Sequence, residues 1–144
     1  MTWPSRLSAV LLALSALSSC NAPRDVSVSI DAPVSVSQGR EFAFTCIVAN
    51  KAARSQKLVS LDVADEFLKG IVVHSTEPAF AEAMHLPILN VMSYSFERTL
   101  TPGESLKVVF RCYAAKAGDW SGEVTFYINS NTSALTHPLR TIVE

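Results

Sequence analysis

Residues 42–49 read Phe42-Ala43-Phe44-Thr45-Cys46-Ile47-Val48-Ala49, and their alternation decides the fold class. Phe42, Phe44, Cys46 and Val48 recur at every second position, while Ala43, Thr45, Ile47 and Ala49 share the opposite side. Side chains alternate across an extended strand, so a period of two with the larger residues on one side marks a strand with one buried face. A matching segment lies far downstream, where Leu106, Val108, Phe110 and Cys112 face one way and Lys107, Val109, Arg111 and Tyr113 the other.

The same period extends outward in both directions. Val26, Val28 and Ile30 alternate with Ser27, Ser29 and Asp31, and Val34 and Val36 follow Pro33 up to a turn at Gln38-Gly39. Short strands are predicted over 58–63 and 71–74; Met92, Tyr94 and Phe96 alternate with Ser93, Ser95 and Glu97. Val124, Phe126 and Ile128 mark another strand, and the last runs from about Leu139 to Val143. Thr101-Pro102-Gly103-Glu104 places proline and glycine at the two central positions of a type II turn. Gly39, Gly70, Gly103, Gly118 and Gly122 all fall at predicted turns. Residues 77–85, with Pro78 near the start and Pro87 beyond the end, carry a weak helix signal and read better as a loop crossing between sheets. Some eight short strands separated by turn residues predict an all-β chain: a single immunoglobulin-like antiparallel β-sandwich over 26–144.

The N-terminus reads as an address. In MTWPSRLSAVLLALSALSSC, Arg6 is the one charge, and the apolar run Leu7–Leu17 is too short to cross a bilayer core, which takes about 20 apolar residues. It has the form of a secretory signal over residues 1–19. Leu17-Ser18-Ser19-Cys20 resembles the bacterial lipobox, which implies that Cys20 is lipidated, palmitate included, and becomes the new N-terminus. Asn21 in place of an aspartate implies the outer membrane under the sorting rule for such lipoproteins. Cleavage before Cys20 leaves 125 of the 144 residues and, with Arg6 gone, a net charge of −2 in place of −1. Residues 20–25 form a short tether; five extended residues reach at most about 17 Å.

The near-balanced charge, 12 Lys+Arg against 13 Asp+Glu, leaves no basic footprint for nucleic acid. A hydrophobic share of 49% against 17% charged excludes an intrinsically disordered chain.

Three stretches resemble the immunoglobulin-like modules of bacterial surface proteins of the CARDB and DUF11 type. They are Val34–Gly39 leading into Phe42–Asn50, Leu100-Thr101-Pro102-Gly103-Glu104-Ser105, and Ala117-Gly118-Asp119-Trp120-Ser121-Gly122. The resemblance covers most of residues 26–143 and implies a fold without implying a reaction. Such modules usually carry tyrosine after Gly-Asp; Trp120 stands there and is expected to pack at a sheet corner. By analogy with that topology, Cys46 and Cys112 sit on strands that could be neighbours in one sheet. They are then either a disulfide, favoured in an oxidising compartment, or two buried thiols acting as small hydrophobes.

Signatures of chemistry are sparse. There is no C-x-x-C, G-x-S-x-G, S-x-x-K or H-E-x-x-H, so no catalytic residue is nominated. His74, His85 and His137 are isolated, and the residues after Cys112 offer neither the histidine nor the methionine of a blue-copper site. His74 with Glu77, and the cluster Asp62, Asp65 and Glu66, are read as solvated loop residues before metal sites. No cofactor or metal is expected. Asn131-Thr132-Ser133 reads as a polar hairpin turn. The 75–91 segment, with Phe80, Met84, Leu86, Ile88 and Leu89, either covers an open core edge or forms a partner surface. The reading is therefore a non-enzymatic, lipid-anchored binding or structural module of the cell envelope, bound to its membrane through the N-terminal lipid and to another envelope protein. The alternative is a small envelope enzyme or metal-handling lipoprotein with a site assembled from dispersed residues.

Overall fold

The computed structural model describes residues 23–144; residues 1–19, expected to be a signal segment, and Cys20 lie outside the described residues. Ten strands and one short helical turn follow in order: β1 (Val26–Asp31), β2 (Ser35–Val36), β3 (Glu41–Asn50), β4 (Gln56–Ala64), α1 (Asp65–Leu68), β5 (Ile71–Glu77), β6 (Glu82–Leu86), β7 (Val91–Leu100), β8 (Ser105–Ala114), β9 (Gly118–Ile128) and β10 (Ala134–Val143). They form two sheets, β1-β3-β8-β5 and β2-β10-β9-β4-β7-β6. Every ladder is antiparallel except the short β2–β10 pair. This is the all-β sandwich that the alternation predicts.

The apolar faces meet between the sheets. Phe44 and Phe110 are directly opposite in the β3–β8 ladder, and their rings stack at 4.6 Å. Tyr94 of β7 meets Phe110 edge-on at 5.4 Å, and Phe67 of α1 meets Phe44 edge-on at 5.7 Å. Edge-on and offset contacts suit the ring quadrupole, so this cluster gains more than area burial alone.

The register settles the cysteines. Cys112 pairs with Phe42 and Cys46 with Val108, so the thiols sit four residues out of register, about 13 Å along the strand, on either side of the Phe44–Phe110 stack. The strands are indeed neighbours in one sheet, but both cysteines are free and buried. The offset exceeds the reach of a disulfide, so a Cys46–Cys112 bond is corrected to two separate core thiols. Burial pushes the Cys112 thiol up to about 12 and that of Cys46 higher still. Both should therefore resist alkylation in the native protein at neutral pH and react fully once denatured without reductant. A pair that alkylates in denaturant only after reduction would mean that this register is wrong.

Gly103 has φ +80° and the Glu104 N–H donates to the Thr101 carbonyl at 3.0 Å, as a type II turn requires. Two glycines depart from the turn assignment. Gly118 opens β9 and Gly122 lies inside it. A Cβ on Gly122 would lie 2.6 Å from that of Ala64, so the strand passes under the β4–α1 corner where only glycine fits. β10 likewise begins at Ala134, ahead of the predicted Leu139. Pro138 is tolerated inside it because β2 pairs only with Ile142 and Val143.

Trp120 packs at the corner expected of it, its indole lying across Gly70 and Gly118 and donating from Nε1 to the Lys116 carbonyl at 2.8 Å. A Cβ on Gly70 would stand 2.0 Å from the indole Cε2. Gly70→Ala must therefore eject the ring, and should lower stability by about 3 kcal/mol in urea titration.

The two ends of the sandwich differ. Asp25, where the chain enters β1, accepts from the Lys51 N–H at one pole, next to the start of β4 and the Thr101–Glu104 turn. The end of β4, α1 and the β6–β7 tip lie at the other, with the Asp65 N–H donating to the Asn90 carbonyl. The nine residues of β4 separate the poles by about 30 Å.

Candidate functional site

The 75–91 segment is not a loop. Residues 71–77 extend β5, and Glu82–Leu86 forms β6, the outer strand of the larger sheet, paired to β7 from Glu82↔Ser95 to Leu86↔Val91. The alternation was hidden because both faces of β6 are exposed at a sheet edge, which removes the apolar half of the pattern. Its five apolar residues divide in role. Phe80 is half-buried, meets Tyr94 at 5.3 Å and covers the core edge. Leu86 is partly covered, whereas Met84, Leu89 and above all Ile88, 95% exposed, are presented to solvent around the tip Leu86-Pro87-Ile88-Leu89.

Beneath this tip, on the outer face of the larger sheet, runs a groove of about 320 Å³ lined by β4, β7 and β9 residues and by Leu86 and Leu89. Strand alternation sends Ser60 and Asp62 of β4, Ser93 and Ser95 of β7 and Tyr127 of β9 to this face, while Leu61, Tyr94 and Phe126 go to the core. Asp62 is only 3% exposed although it points away from the core. Ser60 Oγ donates to its Oδ1 at 3.3 Å, and Ser93, its partner across the ladder, supplies a second hydroxyl. Burial raises the Asp62 carboxyl above the ordinary aspartate range, and the serine hydrogen bonds only partly offset this. Burial, with the Asp62 charge added, raises the Tyr127 phenol too.

A carboxyl raised in the folded state is at no disadvantage below the ordinary aspartate pKa and loses stability as pH climbs through its raised value. Asp62→Asn should therefore be more stable than the wild type at neutral pH, the two urea midpoints converging in acid. Equal midpoints at neutral pH would show Asp62 to be solvated.

The remaining sequence candidates do not converge. Asp65 pairs with His85 at 2.8 Å and Glu66 with Lys69 at 2.6 Å, both away from Asp62, so the acidic trio splits three ways. His137 Nδ1 meets the Pro138 carbonyl. His74 occupies the bulge between Val73 and Ser75 and lines an open groove of about 560 Å³ with Glu41 and Arg111, while Glu77 is taken up by Arg111 at 3.0 Å. Among the described residues no three of His, Cys, Asp and Glu gather as a metal set. Asn131-Thr132-Ser133 lies in the β9–β10 hairpin connection.

Asn50, read from sequence only as the end of a strand, is 1% exposed and ties one pole together. Its amide donates to the carbonyls of Arg54, Leu100 and Thr101 at 2.9, 3.1 and 3.2 Å, and its Oδ1 accepts from the Ala52 N–H at 2.9 Å.

The described residues are an immunoglobulin-like β-sandwich. No protein-family model matches the chain, and no curated protein matches it. Among solved structures, E. coli alpha-2-macroglobulin aligns at TM-score 0.51 and 13% identity over 83% of this chain, which spans only 7% of the macroglobulin's length. The cupredoxin domain of amoB from Nitrosocaldus yellowstonii aligns at TM-score 0.51 and 11% identity, over 86% of this chain and 90% of the domain. A CARDB domain from Pyrococcus furiosus, solved with di-metal ions, aligns at TM-score 0.48 and 13% identity, over 83% of this chain and 94% of its own. At such identities the likeness to the macroglobulin and the cupredoxin domain shows the fold and carries no activity across.

Proposed function

We propose that this chain is a non-enzymatic binding module of the cell envelope, lipid-anchored through Cys20 to the outer membrane and docking another envelope protein at its β6–β7 tip. One observation carries the reading. The exposed apolar tip at Ile88 stands at the pole opposite Asp25, where the chain leads back toward Cys20. An anchor at Cys20 would hold the tether pole against the membrane and turn the tip away from it, toward soluble or facing partners. The outer edge of β6 adds a row of backbone groups suited to strand addition. The CARDB resemblance supports the same class of use, since its motifs are turns and strands without reactive groups.

Two measurements test the two halves. An alkynyl fatty acid fed to cells should label the wild type and leave Cys20→Ala unlabelled; equal labelling removes the anchor. A photo-crosslinking residue at position 88 should trap one discrete envelope protein in intact cells, whereas the same residue at position 107, on the opposite sheet, should not. A smear or nothing at position 88 removes the docking site.

A further inference from the structure

The groove on the outer face of the larger sheet holds a charge that nothing in the described chain neutralises. Asp62 is 3% exposed, its partners are the hydroxyls of Ser60 and Ser93, and among the described residues no Lys, Arg or His pairs with it. Lys57, the cation at the tether end of the groove, is already paired with Glu97. Around Asp62 stand Ser95 and Tyr127, which offer further oxygen acceptors, and Val59, Leu86 and Leu89 supply an apolar wall.

We propose that this groove binds a small ligand carrying a primary ammonium group on an apolar stem, with the ammonium seated on Asp62. An ammonium presents three N–H donors and no acceptor. The groove presents the complement: one carboxylate without a cationic partner, Asp62, a second, Glu97, already held by Lys57, and several hydroxyl oxygens that can turn their lone pairs inward. Bringing the cation in would neutralise a buried charge that otherwise opposes folding at neutral pH. The stem would lie along Leu86 and Leu89. A calcium ion fits poorly, since it takes 6–8 oxygens, mostly carboxylate and carbonyl, and hydroxyls dominate here. An anion would meet the uncompensated carboxylate, and a neutral alcohol would leave that charge in place. The inference goes beyond the docking reading and requires neither the lipid anchor nor a protein at the tip, so either can fail alone.

The test uses the full chain in detergent, titrated with n-butylammonium chloride, n-butanol and sodium butyrate while backbone amide shifts are followed by NMR. Butylammonium should produce saturable shifts at Asp62, Ser93 and Tyr127 that the alcohol and the acid do not. Exchanging a charge-assisted for a neutral hydrogen bond costs about 1.4 kcal/mol, so Asp62→Asn should bind about tenfold more weakly. If that variant loses its dispersed spectrum, acid titration of the wild type replaces it. Butylammonium stays charged from about pH 7 to about pH 4, so affinity should fall as the carboxylate protonates. The groups facing Asp62 are Ser60, Ser93, Ser95, Thr125 and Tyr127, with Glu97 and its partner Lys57 farther along. Equal shifts with butanol, an unaltered affinity in Asp62→Asn, a flat pH profile, or a pH fall abolished by Glu97→Gln would each overturn the proposal, as would the absence of saturable shifts.

Discussion

Phe110→Ala should remove about 4 kcal/mol of stability, a large share of the 5–15 kcal/mol that holds a domain of this size together. Phe110 has no exposed surface, and its ring is held on two sides, stacked on Phe44 and met edge-on by Tyr94. Deleting it forfeits transfer energy, leaves a cavity between sheets that cannot close without moving β3 or β7, and strips both neighbours of an aromatic partner. Urea denaturation, with a slope of about 1–3 kcal/mol per molar for small domains, should show the midpoint falling by about 2 M. Phe110→Leu, which refills most of the space, should cost about 1 kcal/mol. A loss below 1 kcal/mol in the alanine variant would place the ring outside the core.

Asn50→Ala is the second large effect, expected at about 3 kcal/mol. The side chain lies within a backbone crossing rather than an apolar layer. Its own N–H donates to the Glu104 carbonyl, its carbonyl accepts from Gly103, and its amide satisfies three further carbonyls and one N–H. Alanine leaves the Leu100 carbonyl without its donor in a site closed to water, and the Arg54 and Thr101 carbonyls regain solvent only if the loops part. Asn50→Asp should be as damaging, because a carboxylate cannot donate. Hydrogen exchange should report the change first at Ala52 and Gly103, before global unfolding.

Residues whose neighbours are fixed by strand alternation were legible in the sequence. Phe44, Cys46, Phe110 and Phe126 were assigned to their faces by period alone, and the Gly103 turn by its dipeptide. What escaped depended on contacts between distant segments. β6 carries no buried face, so its extended form follows from the hydrogen bonds of β7 rather than from its own pattern. Gly122 looked like a turn because nothing local announces that Ala64 lies against it. The offset of Cys46 from Cys112 is a matter of register, which period cannot supply. Asp62 read as one member of an acidic run, although alternation had already parted it from Asp65; its burial comes from residues of β7, β9 and the hairpin tip that meet only in the fold. Asn50 gave no signal beyond its type.

The order of strands also sets a timetable. In the smaller sheet β3 lies between β1 and β8, and Phe44 finds Phe110 only after the whole intervening chain is available. The larger sheet contains two hairpins, β6–β7 and β9–β10, whose partners are adjacent in sequence and can close within microseconds. Hairpin formation should thus run ahead, while the β3–β8 ladder waits on a long loop closure, placing folding in the slow, millisecond-to-second regime of non-local β topologies. Until β8 has been made, β3 and β5 lack the strand that joins them, and the nascent chain can close only local pairings such as the β6–β7 hairpin.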